Sequence, residues 1–381
     1  MSGELIRLAA RLVWNGVRFQ VLKRTGRPGK PQSISLEVTH DCLARCIMCN
    51  IWKIPPEVPN LSVEKWIRLL HSPVLSELVE LDITGGEPFL RKDLPDLFRG
   101  IADLKRTQLR GLKSVAVTTN GLLTTRVLKY IEAILLEFGP AALDLVVVFA
   151  VDATGPIHDA VRNVSGAWDK VSATLEGLLE IRKTNPNLII GLKTTVLPIN
   201  VRELENIAAY ARQRGLFTII SPCIITEGRY GNPEKSGDFQ FSPKEKDRMI
   251  RFFQGAGCRW SFHANRLAAY LKTGVMRKPC TSGFNYLFVR SSGEVFLCPL
   301  INQTLGNSTR IPLDVLIHSP GAARFRRRVG DYPQCRGCTE PGLERVSLPY
   351  EGFAYLALLI RMGLRNFMEL HRHLGLEKYL S

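Results

Sequence analysis

Apolar and polar positions change period several times along this chain. Between residues 3 and 24, Leu5, Leu8, Ala9, Leu12, Val13, Phe19 and Leu22 recur at helical spacing with arginines between them. Arg27-Pro-Gly-Lys-Pro31 breaks that pattern and reads as a linker. From Ser33 onward, short β-rich runs take over and predict strands at 33–39, 78–84, 114–119, 143–151, 188–196 and 217–221. The segments between them carry helix signals. Asn200 with Glu203 reads as a box-like start, and Ser242-Pro243-Lys244-Glu245 joins a capping box to proline at the first helical position.

Strands alternating with helices predict a parallel sheet, curved by right-handed crossovers into a barrel. Six such units give a partial (β/α)6 barrel, with ligands expected at the C-terminal strand ends. After Cys258 the repeat stops. A hairpin is expected at 284–290 and 295–297 around Ser291-Ser292-Gly293-Glu294, followed by irregular sequence with further cysteines. Residues 350–380 return to a helical pattern rich in Leu, Met and Arg. The expected division is therefore a basic amphipathic helix and linker (1–30), the barrel (31–258), a small cysteine-bearing module (259–342) and a C-terminal amphipathic helix (343–381).

Composition is ordinary for a globular α/β protein, but the formal net charge of +16 over 381 residues is not. Arg7, Arg11, Arg18, Lys23, Arg24, Arg27 and Lys30 face only Glu4 within the first thirty residues. Such a field favours an anionic partner: a membrane surface, nucleic acid or a phosphorylated substrate. No RNA-binding motif accompanies it, which argues against nucleic acid. The longest apolar stretch, 352–360, is too short to span a bilayer. Arginines interrupt the N-terminus, so no signal-peptide core is expected there. The terminal helices suit a membrane interface, packing on the barrel, or a dimer. A cytoplasmic protein is expected, with peripheral membrane association.

The nine cysteines do not form a disulfide pattern, and seven of them fall at metal-ligand spacings. Cys42, Cys46 and Cys49 follow the first strand as C-x3-C-x2-C. Iron–sulfur clusters usually take four cysteines, so a triplet leaves one iron open for another ligand. The next strand ends in Gly85-Gly86-Glu87-Pro88, where glycines admit close backbone approach and a carboxylate can pair with an ammonium. The triplet and this second motif together resemble the radical S-adenosylmethionine (SAM) enzymes, over residues 31 to about 340. The resemblance implies that SAM chelates the open iron, with Glu87 holding its amino group. It also implies that Met48, Asn120, Asp152, Lys193 and Thr195 line the SAM pocket, and that Arg162 approaches the SAM carboxylate or sulfonium. Asp152 and Lys193 could equally serve as a helix cap or an ion-pair partner.

Cys280, Cys298, Cys335 and Cys338 form a second set, four thiolates from one small module. Spacing alone fits a zinc site or a fully ligated 4Fe–4S cluster. The layout is similar to the auxiliary-cluster modules of SPASM and twitch radical SAM enzymes, which implies one auxiliary 4Fe–4S cluster with a redox role. Cys223, at the end of the sixth strand, is a candidate hydrogen donor; Cys258 reads as an inert thiol.

The expected function follows from the resemblance. SAM is cleaved reductively to a 5′-deoxyadenosyl radical that takes hydrogen from an unactivated C–H bond, with a ferredoxin- or flavodoxin-type reductant. Charge and terminal helices point to a lipid or lipid-linked anion as substrate. Maturation of a ribosomally made peptide is the alternative, and a non-catalytic iron–sulfur scaffold or electron carrier is an alternative of another class.

Overall fold

The computed structural model describes residues 2–258, 261–373 and 375–380. The expected module start at 259 and the chain-end positions 1 and 381 lie outside these. Nine strands form one sheet in the order β6-β5-β4-β3-β2-β1-β7-β8-β9. Strands β1 (Ser33–Thr39), β2 (Glu80–Gly85), β3 (Ser114–Thr119), β4 (Asp144–Ala150), β5 (Leu188–Val196) and β6 (Phe217–Pro222) are parallel. β7 (Tyr286–Val289) pairs in parallel with β1, and β8 (Glu294–Phe296) and β9 (Thr304–Asn307) follow antiparallel. The hairpin of the cysteine-bearing module is thus hydrogen-bonded onto the barrel sheet, which no local pattern announces.

Period-two alternation decides what faces the lumen. Ile34, Leu36 and Val38 of β1 point outward and are fully buried beneath the helices, together with Leu81, Ile83, Val115 and Val117. Ser33 and Ser35, Glu80 and Asp82, and Ala116 and Thr118 face inward and line a cavity. Burying the outward residues supplies the hydrophobic stabilisation, roughly 1.5–3 kcal/mol for each large aliphatic side chain. The inward positions stay polar because they border open space.

The Ser242 capping box forms as expected, with Ser242 Oγ accepting from Glu245 N and the Glu245 carboxylate accepting from Ser242 N. Asn200 is not an α-helix N-cap. It stands at the third position of the 3-10 turn Pro198–Glu203, where its Oδ1 caps the start of the turn by accepting from Leu197 N and its Nδ2 donates to the carbonyls of Asp152 and Thr195.

The C-terminal pattern resolves into helices Pro341–Glu351, Phe353–His373 and Glu377–Leu380, with Gly363 at φ 74° breaking the middle one. These helices pack inward. Phe19 of the N-terminal helix Ser2–Thr25 stacks edge-on against Phe284 at 5.1 Å and Tyr350 at 6.2 Å. Gly352, at φ 75°, sits so close that a Cβ there would lie 2.1 Å from the Leu12 carbonyl oxygen. At the N-terminal end of the strands, Glu80 accepts from Tyr379 at 3.1 Å and pairs with Lys378 at 2.5 Å and with Arg345. The C-terminal helices therefore plug the barrel's N-terminal mouth. Among the described residues, no helix is long and apolar enough to cross a membrane.

Candidate active site

Cys42, Cys46 and Cys49 lie on the loop leaving the C-terminal end of β1, at the mouth where a parallel sheet presents its ligand sites. Burial pushes the Cys42 thiol up to about 12 and Cys49 up to about 11, and the neighbouring thiols add to both shifts. Each therefore stays protonated until a metal displaces its proton. Two N–H groups address the sulfurs: Arg162 Nη1 donates to Cys46 Sγ at 3.6 Å, and Asn120 Nδ2 to Cys42 Sγ at 3.9 Å.

The three cysteines border a cavity of about 140 Å³, lined also by Met48, Gly85, Gly86, Asn120, Arg162, Lys193, Thr195 and Cys223. Most of the expected pocket residues are thus brought together. Glu87, Pro88 and Asp152 are not on its wall. Glu87 is fully buried, its Oε1 accepting from Phe89 N and Thr119 Oγ1 and its Oε2 accepting from Asn120 N. Its carboxylate binds the end of β3 through Thr119 and Asn120, and so helps to position Asn120 on the cavity wall. Burial outweighs these donors and raises its pKa to about 7. The glycines also have a second reason. A Cβ on Gly85 would meet the Thr39 carbonyl oxygen at 2.1 Å, and one on Gly86 the Asp41 carbonyl oxygen at 2.1 Å. They let the second motif press against the cysteine loop.

Asp152 is an ion-pair partner. Its Oδ2 lies 2.6 Å from Arg162 Nη2, and its Oδ1 accepts from Thr195 N. Burial raises the Asp152 pKa. For Arg162, burial alone would lower the pKa, but the Asp152 carboxylate and the Cys46 thiol outweigh it and raise it. With Nη1 on Cys46 and Nη2 on Asp152, Arg162 ties the cysteine loop to the segment after β4 while also lining the cavity.

Beside this pair, His158 Nδ1 accepts from Asp152 N at 3.2 Å. Burial, reinforced by the Arg162 charge, lowers the His158 pKa from 6.5 to about 3. Below pH 6.5 the unfolded chain takes up a proton that folded His158 refuses. Stability is therefore lost as pH falls from about 6.5 toward 3, by up to about 1.4 kcal/mol per pH unit from this group. His158→Asn keeps an acceptor at the Nδ1 position and cannot be protonated. It is expected to flatten this part of the stability–pH curve, measured by urea unfolding between pH 5 and 7. An unchanged slope would refute the assignment.

Below the first cavity lies a larger one of about 640 Å³ within the barrel lumen. The two share Thr118, Lys193, Ile219, Arg229, Glu340 and Pro341. Arg229 and Glu340 have no local motif, and the sequence reading missed them, although Glu340 stands two residues past Cys338. Arg229 is fixed by donating to Thr84 Oγ1 and by lying 5.6 Å from the Tyr230 ring centroid. Glu340 Oε1 accepts from Gly342 N, and Lys193, Arg229 and Lys278 help hold its pKa below the usual value despite burial. Cys223 also lines the upper cavity, and burial pushes its thiol up to about 12, so it keeps its hydrogen.

The four later cysteines converge. Burial pushes Cys280 up to about 12 and Cys298 higher still; Cys335 and Cys338 act electrostatically on Cys280, and Cys280 and Cys338 on Cys298. Lys278 adds a buried cation beside Cys338 and Cys280. All four are protonatable thiols facing one another, a donor set that fits a fully ligated 4Fe–4S cluster. Among the described residues, no three His, Cys, Asp or Glu side chains close on a single metal ion. A cubane, which gives each iron its own thiolate, does not require such closeness. The module touches the first site through Thr339, whose Oγ1 donates to Pro222 O at 3.1 Å, and through Ser221 Oγ, which donates to Thr339 O at 2.5 Å.

Comparison with known proteins gives this geometry its family. The Radical SAM superfamily profile matches residues 36–211, and the SPASM iron–sulfur cluster-binding domain matches residues 280–339. The chain is a radical SAM enzyme. Its cofactors are SAM and 4Fe–4S clusters, and membership in an enzyme family sets aside the scaffold reading. The enzyme is 22% identical over 323 residues to the sporulation killing factor maturation protein SkfB of Bacillus subtilis, covering 84% of this chain and 72% of the relative. It is 23% identical to the AdoMet-dependent heme synthase of Methanosarcina barkeri, over 74% and 80% of the two chains. Among solved structures, Streptococcus suis SuiB superposes with a TM-score of 0.56 at 12% identity, over 81% of this chain and 70% of that one. The enzyme anSMEcpe, bound to AdoMet and a peptide, superposes at 0.52 with 18% identity, over 92% and 100%. At these identities the structures establish the shared fold.

Proposed function

We propose that the enzyme takes a hydrogen atom from a C–H bond of a peptide held in the barrel lumen, and that the four cysteines of its SPASM module hold an auxiliary cluster that manages the substrate's electron. The observation behind this reading is the continuity of the two cavities, which joins a cysteine- and SAM-facing upper chamber to a substrate-sized lumen through Lys193, Arg229 and Glu340. When bound and reduced, SAM at the Cys42, Cys46 and Cys49 cluster supplies a 5′-deoxyadenosyl radical as hydrogen acceptor.

The protein's own share is binding, orientation and exclusion of water. The three thiols would hold the cluster, with Arg162 and Asn120 directing N–H groups at their sulfurs. Met48, Gly85, Gly86, Asn120, Lys193 and Thr195 would border the SAM. Glu87 holds Asn120 in place, and the Glu80 network closes the lumen's lower end to bulk water. Cys223 offers a hydrogen to a substrate radical that is to be quenched, whereas oxidation would send the electron toward Cys280, Cys298, Cys335 and Cys338. A ferredoxin- or flavodoxin-type protein provides the reducing electron.

A peptide stands ahead of a lipid for two reasons. The lumen wall mixes Asp82, Glu80, Lys193 and Arg229 with apolar side chains, and such charges suit a polymer of mixed polarity better than an alkyl chain. Two similar proteins support the same choice: SkfB is named a maturation protein, and the structural neighbour SuiB has a structure bound to precursor peptide SuiA. The lipid or lipid-linked anion reading keeps one specific support. Ile6, Trp14 and Val21 of the N-terminal helix remain 67%, 66% and 56% exposed alongside Arg7, which suits an anionic membrane surface.

The test uses anaerobically reconstituted enzyme, dithionite, and peptide and lipid fractions from cells grown in D2O. Deuterium is expected in 5′-deoxyadenosine with the peptide fraction. Labelling by the lipid fraction alone would reverse the choice of substrate. Absence of 5′-deoxyadenosine altogether would overturn the reaction.

A further inference from the structure

Where the cysteine loop passes from the cavity wall to the surface stands Trp52, half-buried and itself lining the upper cavity. Trp52 lies in the 3-10 turn Ile51–Lys53 directly after Cys49, and its indole N–H donates to the Cys49 carbonyl at 3.0 Å. Two exposed cations flank its ring. The Arg45 guanidinium lies 5.3 Å from the ring centroid and the Lys53 ammonium 5.4 Å. Among the described residues, neither side chain has an ion pair. Lys235 adds a third positive group, its Nζ donating to the Ile47 carbonyl at 2.5 Å. Glu234, whose Oε1 accepts from Asn50 Nδ2 at 2.5 Å, is an acid near enough to act electrostatically on Lys53 and Lys235 without forming an ion pair with Lys53.

Two like charges over one ring repel each other. The ring's quadrupole compensates in part, and an opposing anion would compensate more fully. Arginine and tryptophan at the centre of an exposed patch are the residue types that dominate protein–protein affinity. The patch also sits outside the loop through which an electron must pass. A basic surface speeds encounter with an acidic protein and orients it.

We propose that Arg45, Trp52 and Lys53 form the docking surface for an acidic one-electron carrier of flavodoxin or ferredoxin type, with Trp52 lying between the carrier and Cys49. This rests on the proposed reaction. In each turnover the carrier is oxidised by one electron and the S–C5′ bond of SAM breaks. Methionine leaves, and the 5′-deoxyadenosyl fragment takes one hydrogen atom from substrate.

The experiment compares the reconstituted full-length enzyme with its Arg45→Glu/Lys53→Glu variant. 5′-Deoxyadenosine formation is driven either by a reduced acidic flavodoxin or by dithionite, at low salt and at about 0.15 M salt. At low salt the variant's flavodoxin-driven rate is expected to fall about tenfold, while its dithionite-driven rate stays within about twofold. Wild-type flavodoxin-driven rates should fall with salt, and the variant's should not. Calorimetric binding of oxidised flavodoxin, a readout independent of turnover, should weaken in parallel. Equal loss with both reductants, or no loss with flavodoxin, would overturn the docking surface. Failure of wild type with dithionite would instead strike at the reaction itself.

Discussion

Replacing any one of Cys42, Cys46 and Cys49 with alanine is expected to abolish 5′-deoxyadenosine formation and to remove about half of the bound iron and sulfide. Two remaining thiols cannot hold a cubane while leaving an iron for SAM. Cys335→Ala makes the informative contrast. It removes one ligand of the other set, so it should also cost about half of the iron, yet leave reductive SAM cleavage in place. What the second variant should lose is coupling: 5′-deoxyadenosine would still form, but without matching product. Anaerobic reconstitution followed by iron, sulfide and nucleoside analysis measures both. Retention of all the iron by the triplet variants, or loss of SAM cleavage in Cys335→Ala with the first cluster still loaded, would overturn the division of labour.

The largest expected effect on stability belongs to Arg162. Its guanidinium is paired at 2.6 Å with an Asp152 carboxylate that has no exposure. Removing only the arginine leaves that charge buried with Thr195 N as its remaining hydrogen-bond donor. Such a loss costs about 3–5 kcal/mol. Arg162→Leu should therefore lower urea stability by about this amount and move Asp152 further toward its protonated form. The added change Asp152→Asn removes the stranded charge and keeps an acceptor for Thr195 N. The double variant should accordingly recover a substantial part of the loss, which gives a strongly non-additive cycle. Additive losses would show that the pair is not coupled in the way the geometry implies.

Much of this arrangement was legible in the sequence. Strands β1, β3 and β5 have the expected bounds, because alternating runs in this fold face a polar lumen on one side and helices on the other. The triplet and Gly85-Gly86 were legible because both are short, local and set beside a strand end. Glu87 was legible from its motif, whereas its bonds to Thr119 and Asn120 were not, since a motif does not tell which neighbours a buried carboxylate finds. Arg229 and Glu340 were beyond reach. They come from an irregular loop and from the far side of the module, and only the tertiary fold brings them to Lys193. The terminal helices were ambiguous for a related reason. An apolar face looks the same from sequence whether it meets lipid, another copy or, as here for Leu12, Phe19 and Tyr350, the body of its own chain.

The pairing of β7 with β1 has a mechanical meaning. Electron transfer through protein falls off exponentially with distance, so two redox centres on independently mobile domains would exchange electrons at a rate set by their wandering. Here the loop bearing the first three thiols springs from β1, and the hairpin ending at Cys298 springs from its hydrogen-bonded neighbour. A continuous ladder from Ser33 with Tyr286 to Leu36 with Val289 acts as a ruler between them. Lengthening a surface loop would leave that spacing untouched, whereas a one-residue slip in this single pairing would reset it.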